Sequence, residues 1–131
     1  IHYTFDLDNY VQKNNNELYI NMQMEKQFMN DLMDQDRVAP REFEYKTIDR
    51  NVNTLEIPKG YKVSYMPDNS SFSNPLFGYK INYVVKGNTI VNESSIYINT
   101  LMVNPSDFGE WNKMIKKLTR AYNESVTLIK Q

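Results

Sequence analysis

A short segment ahead of the first proline carries four side chains that could bind a metal ion. Asp31, Asp34 and Asp36, with Asn30 beside them, offer the hard oxygen ligands that Ca²⁺ takes in proteins. Their spacing does not match a twelve-residue calcium loop, and the segment lacks the glycine that turns such a loop. We therefore interpret it as a solvated acidic loop in which Asp34 or Asp36 pairs with Arg37, and we keep calcium binding as the alternative.

Side chains that activate a nucleophile are almost absent from the sequence. There is no cysteine, which excludes thiolate zinc sites, iron–sulfur clusters and a cysteine nucleophile. The single histidine, His2, lies near the chain end, where we expect a strand-edge residue rather than part of a triad or metal site. The serine pairs Ser70–Ser71 and Ser94–Ser95 therefore have no histidine partner. We expect no catalytic residue, no metal site and no cofactor, and no enzymatic activity of this chain alone.

Pairs of carboxylates are the remaining catalytic candidates, because glycoside hydrolases use two of them. Glu42, Glu44 and Glu56 are available. Glu42 and Glu44 alternate with Phe43 and Tyr45, which is typical of the solvent-facing side of a strand. Hydrolysis by these carboxylates is therefore the least supported hypothesis.

A basic face is predicted on the C-terminal helix, formed by Lys113, Lys116, Lys117 and Arg120. Such a face could bind an anion, but cations near the C-terminal end of a helix also interact favourably with its dipole. The chain has 15 basic and 16 acidic residues and a net charge of −1. This balance favours a solvent-facing stripe and argues against nucleic acid as a partner. No run of about 18 apolar residues predicts a membrane span.

Ten tyrosines raise the question of carbohydrate binding, because an exposed ring can stack on a sugar. Four of them share a strand face with apolar residues and are predicted to be core residues: Tyr61, Tyr65, Tyr79 and Tyr83. Tyr19 and Tyr97 alternate with apolar neighbours and fall on the opposite face. These two are the predicted surface contacts, either for a ligand or for a neighbouring domain. Trp111 is predicted to lie in the core.

Alternation with a period of two predicts strands along most of the chain. The predicted strands cover residues 1–7, 18–25, 42–45, 55–57, 61–65, 79–85, 89–103 and 126–129. Pro58-Lys59-Gly60 predicts a turn, and Lys86-Gly87-Asn88 predicts a tight hairpin. Apolar residues change face along the strand that begins at Thr89, which predicts a bulge or a crossing between sheets.

One helix is predicted, from the Asn104–Pro105 start signal to Asn123. Its apolar residues recur at spacings of three and four and form one stripe: Phe108, Trp111, Ile115, Leu118 and Tyr122. Gly109 costs the helix about 1 kcal/mol relative to alanine, and we interpret it as a place where another backbone comes close. Residues 27–40 are predicted to form a loop with one helical turn.

These elements predict a mainly β fold, an antiparallel β-sandwich of about seven or eight strands with one C-terminal amphipathic α-helix. The 131 residues fit a single domain, residues 1–131. Because the sequence begins with Ile1 and shows no signal peptide, we expect it to be a fragment of a larger protein.

The order of several motifs resembles that of a known family. Leu55–Val63 (LEIPKGYKV), followed by Tyr65 and Pro67, is similar to a segment of a β-rich C-terminal domain of unknown function. That domain follows transglutaminase-like domains in secreted proteins of gut anaerobic bacteria. Further agreement lies upstream, at the hairpin and in the closing helix and strand: Arg37, Pro40, Glu42, Phe43, Tyr45, Gly87–Ile90, Phe108, Trp111, Leu118, Ala121, Tyr122, Val126, Leu128 and Lys130. The resemblance runs from about Asn9 to the end of the chain.

The resemblance implies that the chain is one domain of a larger protein, but it assigns no functional residue to this chain. In that family a cysteine–histidine–aspartate core lies upstream, and no residue of that core maps onto this chain. The resemblance implies a non-catalytic accessory domain whose partners are upstream, transglutaminase-like or peptidase-like domains of the same polypeptide. It also implies a periplasmic, cell-surface or secreted location. The alternative is a cell-envelope module that binds a glycan or a peptide through Tyr19, Tyr97 or an open sheet edge.

Overall fold

The computed structural model describes residues 11–34 and 36–131. The strand predicted over residues 1–7, and His2 within it, lie outside the described residues. The described part contains ten strands: β1 Gln12–Asn14, β2 Glu17–Ile20, β3 Arg41–Glu42, β4 Thr47–Glu56, β5 Tyr61–Tyr65, β6 Ser70–Ser73, β7 Phe77–Lys86, β8 Thr89–Ile98, β9 Met102–Val103 and β10 Val126–Lys130.

The strands form three antiparallel sheets. We call the sheet ordered β1-β2-β10-β5 the β2 sheet and the sheet ordered β4-β8-β7-β6 the β8 sheet; β3 and β9 form a small third sheet. The predicted fold class, mainly β with antiparallel sheets and one C-terminal amphipathic helix, is confirmed. The described part has ten strands where about seven or eight are expected, because β1 and β6 lie where no strand is predicted and the strand predicted over residues 89–103 is divided into β8 and β9.

Strands β7 and β8 form a hairpin closed by Gly87 and Asn88. Lys86 pairs with Thr89 across this two-residue loop, and Gly87 has a φ of +61°. Glycine adopts that left-handed conformation without a Cβ penalty. The Lys86-Gly87-Asn88 signal therefore predicts this hairpin correctly.

The helix follows β9. A 3-10 turn, Pro105–Asp107, leads into helix α1, Phe108–Tyr122. Asn123 is its C-cap residue, in agreement with the predicted end of the helix. Its apolar stripe is buried and packs against β6 and β7: Phe108, Trp111, Met114, Ile115, Leu118 and Tyr122. No helix in residues 11–34 and 36–131 has the length and the apolar character that a membrane span requires.

The interpretation of Gly109 as a close backbone contact is wrong. A Cβ atom added at Gly109 would meet no atom within 4 Å. The close contact lies at Gly78 on β7, where a Cβ atom would come within 2.5 Å of the carbonyl oxygen of Phe72. Sequence cannot distinguish the two glycines, because the contact depends on how β6 and β7 pair.

Buried side chains of α1 and of both four-stranded sheets form one cluster. The β2 sheet contributes Ile20, Val126 and Leu128, and the hairpin contributes Phe77, Tyr79, Ile81, Ile90, Ile96 and Ile98. Complete burial of a large apolar side chain stabilises a protein by about 1.5–3 kcal/mol. Helix α1 and the two sheets therefore pack against one shared interior.

Three of the four tyrosines that alternation assigns to the core pack there. Tyr79 and Tyr83 are buried, and Tyr61 is half-buried against the core. Burial raises the pKa of Tyr79, although its hydrogen bond with Ser70 acts in the opposite direction. The prediction for Tyr65 is wrong, because its side chain is 47% exposed.

A β-bulge on β5 explains the exposure of Tyr65. Val63 pairs with Leu128, and Tyr65 pairs with the next residue of β10, Thr127. Ser64 is therefore an extra residue on β5, and it turns the side chains that follow it to the other face. The alternation of residue types does not reveal such a bulge.

Strand β2 ends at Ile20, whereas alternation predicts it to continue to residue 25. The side chain of Asn21 accepts a hydrogen bond from the Gln23 backbone N–H at 2.8 Å and donates one to the Tyr122 carbonyl at 2.8 Å. Such an Asx-turn ends the ladder. Gln23, which alternation places on the solvent side, is consequently buried.

The described residues of the segment 27–40 are irregular, as predicted, and side chains of helix α1 form hydrogen bonds with their backbone. The Asn112 side chain accepts from the Met33 N–H at 2.7 Å and donates to the Met33 carbonyl at 2.9 Å. The Thr119 hydroxyl accepts from the Asn30 N–H at 2.9 Å. These hydrogen bonds attach the backbone at Asn30 and Met33 to the helix.

A turn over residues 27–30 replaces the predicted helical turn. Phe28 and Asn30 have φ values of +61° and +58°. Two left-handed residues this close together are incompatible with a right-handed helical turn. The helical spacing of Phe28 and its apolar neighbours instead reflects packing against the core.

Candidate functional site

Strands β3 and β9 continue the ladder of β4 and β8 beyond an irregularity. Thr47 pairs with Ile98, and the Phe43 N–H donates to the Leu101 carbonyl at 2.8 Å farther along. Between these two contacts, three residues of the first strand lie opposite two of the second. The extra residue lies between β3 and β4 and shifts the register there. The strand predicted from Thr89 is divided between two sheets as β8 and β9, which agrees with the second of the two predicted explanations, a bulge or a crossing between sheets.

We call residues 41–48 and 97–103 the ladder end. It carries four of the nine large apolar side chains that are exposed in the described part of the chain: Tyr45 (70%), Ile48 (65%), Leu101 (52%) and Met102 (40%). Of these four, Ile48 borders a shallow groove of about 440 Å³, which is lined by Lys46, Thr47, Ile48, Tyr97, Ile98 and Asn99. Single exposed apolar residues are ordinary, but four of them within two short paired segments make the ladder end a candidate interaction region.

Tyr97 lies on the outer face of the β8 sheet, opposite in direction to the buried Ile96 and Ile98. Its hydroxyl donates to the Asn74 carbonyl at 2.6 Å, and its ring lies across Gly78. One side of the ring is therefore covered by backbone, and the other borders the groove of the ladder end.

Tyr19 lies on the outer face of the β2 sheet, where the bulge also places Tyr65. Both residues pair with Thr127 of the strand between them, so they lie about 10 Å apart at the usual strand spacing. The hydroxyl of Tyr19 donates to Glu17, and that of Tyr65 donates to Glu124 at 3.0 Å. These hydrogen bonds raise the pKa of each tyrosine and fix the two rings on the sheet.

The predicted pairing of Arg37 with Asp34 or Asp36 is wrong. The Arg37 side chain donates to the carbonyls of Ala39 and Pro40 at 2.9 and 3.0 Å. Asp34 accepts from the Asp36 N–H at 2.9 Å, so the loop is held by local contacts. Among residues 11–34 and 36–131, no group of three or more acidic or histidine side chains could hold a metal ion.

The ion pair of this region joins Asp31 to Arg41 at 2.6 Å. The guanidinium of Arg41 lies over the rings of Phe28, Phe43 and Trp111, at 5.9, 5.0 and 5.2 Å from their centroids. Cation–π contacts of this kind contribute about 0.5–2 kcal/mol. Sequence reasoning missed Arg41 because the cluster forms only when Phe28, Phe43 and Trp111, from three segments, come together. We interpret it as the contact that attaches Phe28 and Asp31 to the helix through Trp111.

The basic face of α1 is exposed, as predicted: Lys113, Lys116, Lys117 and Arg120. The Lys117 ammonium donates to the Ser71 carbonyl at 2.7 Å and so ties the helix to β6. Of the carboxylates considered for hydrolysis, Glu56 lies far from Glu42 and Glu44 along the chain. Glu42 and Glu44 precede β4 and Glu56 ends it, and the ten residues of that strand span about 30 Å.

Comparison with known proteins adds a family and a shared fold. A family model for a domain of unknown function with a solved structure, DUF3858, matches residues 15–128. No curated protein matches the chain. The chain is similar to the crystal structure of a proposed protease from Parabacteroides distasonis ATCC 8503, with a TM-score of 0.62 and 18% sequence identity. The similarity covers 74% of this chain and 19% of that protein, so this chain spans about a fifth of that protein's length.

Proposed function

Because the chain belongs to the DUF3858 family of domains of unknown function, we propose that it is a non-catalytic accessory domain within a longer polypeptide. In this proposal it packs against a peptidase-like domain of the transglutaminase type in an exported bacterial protein. The neighbouring domain performs the chemistry, and this domain orients or shields it. The observation that carries the proposal is the exposed apolar surface of the ladder end.

The ladder end has the properties of a preformed docking surface. Backbone pairing of β3 with β9 and of β4 with β8 fixes its shape before any partner binds. A preorganised surface loses little conformational entropy on association. Its exposed apolar residues, among them Tyr45 and Leu101, occur in the same segments as exposed charged residues such as Glu42 and Lys46. Apolar and polar residues commonly occur together where domains meet.

The comparison with the solved protein supports a multidomain setting. This chain corresponds to about a fifth of that protein, which is itself a proposed protease. A shared fold alone does not transfer activity. The setting in which the fold occurs there is nevertheless the one that an accessory domain requires.

In the longer polypeptide, the double change Tyr45→Ser and Leu101→Ser is expected to weaken docking by about 2–4 kcal/mol, since each side chain loses buried apolar area. The matched control is Val84→Ser with Val85→Ser, two residues that are 44% and 43% exposed near the hairpin tip. In thermal unfolding of the longer polypeptide, this domain should unfold in a separate transition at a lower temperature in the Tyr45→Ser, Leu101→Ser variant and not in the control. Equal behaviour of the two pairs would contradict the proposal.

Carbohydrate binding is the second candidate function, and the arrangement of Tyr19 and Tyr65 favours it. Their rings lie on one open sheet face, and Glu17 and Glu124 beside them can accept hydrogen bonds from sugar hydroxyls. On a glycan array, Tyr19→Ala and Tyr65→Ala are each expected to weaken binding by the isolated chain about tenfold, the loss that follows from one stacking contact. Tyr97→Ala is the control, because that ring rests on Gly78. Absence of binding, or equal binding by all three variants, would remove this candidate.

A further inference from the structure

Strand β4 forms one edge of the β8 sheet. Its ten residues, Thr47–Glu56, pair with β8 on one side, and no strand in residues 11–34 or 36–131 pairs with the other side. Native proteins usually keep edge strands short or cover them, because an open edge can pair with another chain. The Asn53 side chain donates to the Met22 carbonyl at 2.9 Å, but within the described residues no strand continues the sheet past β4, which makes β4 a candidate pairing edge.

The register shows which backbone groups face the open edge. The Ile57 N–H donates to the Asn88 carbonyl at 2.7 Å, and these two residues continue the pairing register of β4 and β8. In an antiparallel ladder, hydrogen-bonded pairs alternate with pairs that are not hydrogen-bonded. The odd-numbered residues of β4 therefore bond to β8, and the even-numbered ones present their N–H and C=O groups to the open edge: Ile48, Arg50, Val52, Thr54 and Glu56.

The charges along this edge are self-complementary, because a basic residue of one β4 strand can lie opposite an acidic residue of a second copy. Arg50 and Glu56 are exposed, lie on the same outer face of the sheet, and take no part in the one salt bridge of the described residues. If two β4 strands pair antiparallel with Asn53 opposite Asn53, each Arg50 lies opposite a Glu56. Val52 then lies opposite Thr54, a favourable pair of β-formers.

The same register also allows the backbone N–H and C=O groups at the open edge to form hydrogen bonds between the two copies. Both Arg50–Glu56 pairs and both Val52–Thr54 pairs join residues whose N–H and C=O groups face the edge. Such a pairing forms about eight backbone hydrogen bonds. A shift of one pairing step places Ile48 opposite Glu56 and Arg50 opposite Thr54, which removes both charge pairs. The charges therefore select one register.

We propose that β4 is a self-association edge, which joins two copies of this chain about a two-fold axis into one continuous antiparallel sheet. This proposal is independent of the docking function of the ladder end, since the paired residues 50–56 lie outside it. A strand-edge contact buries less area than a standard interface, so the dimer is weak and forms at high protein concentration. Its exposed charge pairs make association weaker at high salt.

Sedimentation velocity of the 131-residue chain tests the proposal, from about 10 µM to about 1 mM, the range in which small interfaces associate. The weight-average sedimentation coefficient should rise with concentration. Arg50→Glu and Glu56→Arg should each weaken association at least about tenfold, because each places like charges opposite one another. The combined exchange Arg50→Glu with Glu56→Arg should restore it.

Lys80→Glu is the matched control, since it makes the same charge change as Arg50→Glu on an exposed residue of β7, away from the edge. It should leave association unchanged. A monomer at every concentration, as expected if a strand of another domain occupies the edge, overturns the proposal. Association that Lys80→Glu weakens as much as Arg50→Glu also overturns it.

Discussion

Replacing Trp111 with alanine is expected to lower the free energy of unfolding by about 3–5 kcal/mol. Its side chain is fully buried, and its ring packs edge-on against Phe28 and Phe77, at centroid distances of 5.6 and 5.2 Å. Its indole N–H donates to the Asp31 carbonyl at 2.7 Å. The change therefore leaves a large cavity, and it also removes a ring beneath Arg41 and a hydrogen bond that holds residues 27–40.

Urea unfolding followed by circular dichroism measures this effect, because the variant lacks the only tryptophan and with it the usual fluorescence signal. Trp111→Phe keeps most of the ring packing and loses the indole N–H, so it should cost less, about 1–2 kcal/mol. Its unfolding remains measurable even if the alanine variant does not fold. A cost below about 1 kcal/mol for the alanine variant would contradict the central packing role of Trp111.

Replacing Gly78 with alanine is expected to destabilise the protein by about 2–4 kcal/mol. The added methyl group would come within 2.5 Å of the Phe72 carbonyl oxygen on the neighbouring strand and within 2.7 Å of the Tyr97 ring. The first contact requires β6 to shift. The second displaces Tyr97 and its hydrogen bond to Asn74, so the outer face beside the ladder end would change shape.

Gly109→Ala is the matched control for this substitution. The added methyl group meets no atom within 4 Å, and alanine favours the helix, so stability should stay the same or rise by up to about 1 kcal/mol. Chemical unfolding of both variants measures the difference. In a Tyr97→Ala background, Gly78→Ala should cost less but still destabilise, since the Phe72 carbonyl remains in place. Equal effects at the two glycines would refute this account of Gly78.

Local signals in the sequence predict the hairpin and the helix. Gly87 allows the tight loop, and the Asn104–Pro105 signal starts the helical region whose apolar stripe is buried. Both depend on residues within a few positions of one another. Such features can be derived from one sequence because tertiary contacts do not have to be known.

The features that sequence reasoning missed depend on register. One extra residue, Ser64, turns Tyr65 outward, and another before Thr47 creates the ladder end. A one-residue shift exchanges the two faces of a strand without changing the alternation of residue types on either side. Alternation places Tyr97 on the outer face, but its contact with Gly78 follows only from the pairing of β7 with β8.

The long-range polar contacts could not be derived either. Proximity in the chain favours Arg37 as the partner of the acidic loop, whereas Arg41 makes the ion pair with Asp31. Arg41 is selected because three aromatic rings from different segments surround its guanidinium. No spacing rule within one sequence predicts such a cluster.

Amide hydrogen exchange, measured in the longer polypeptide and in the 131-residue chain, tests the docking role of the ladder end most directly. Covering this surface should slow exchange at residues 41–48 and 97–103 by at least about tenfold in the longer polypeptide. The hairpin tip at Gly87 and Asn88 should exchange equally fast in both. Identical exchange at the ladder end in the two proteins would contradict the proposed accessory domain.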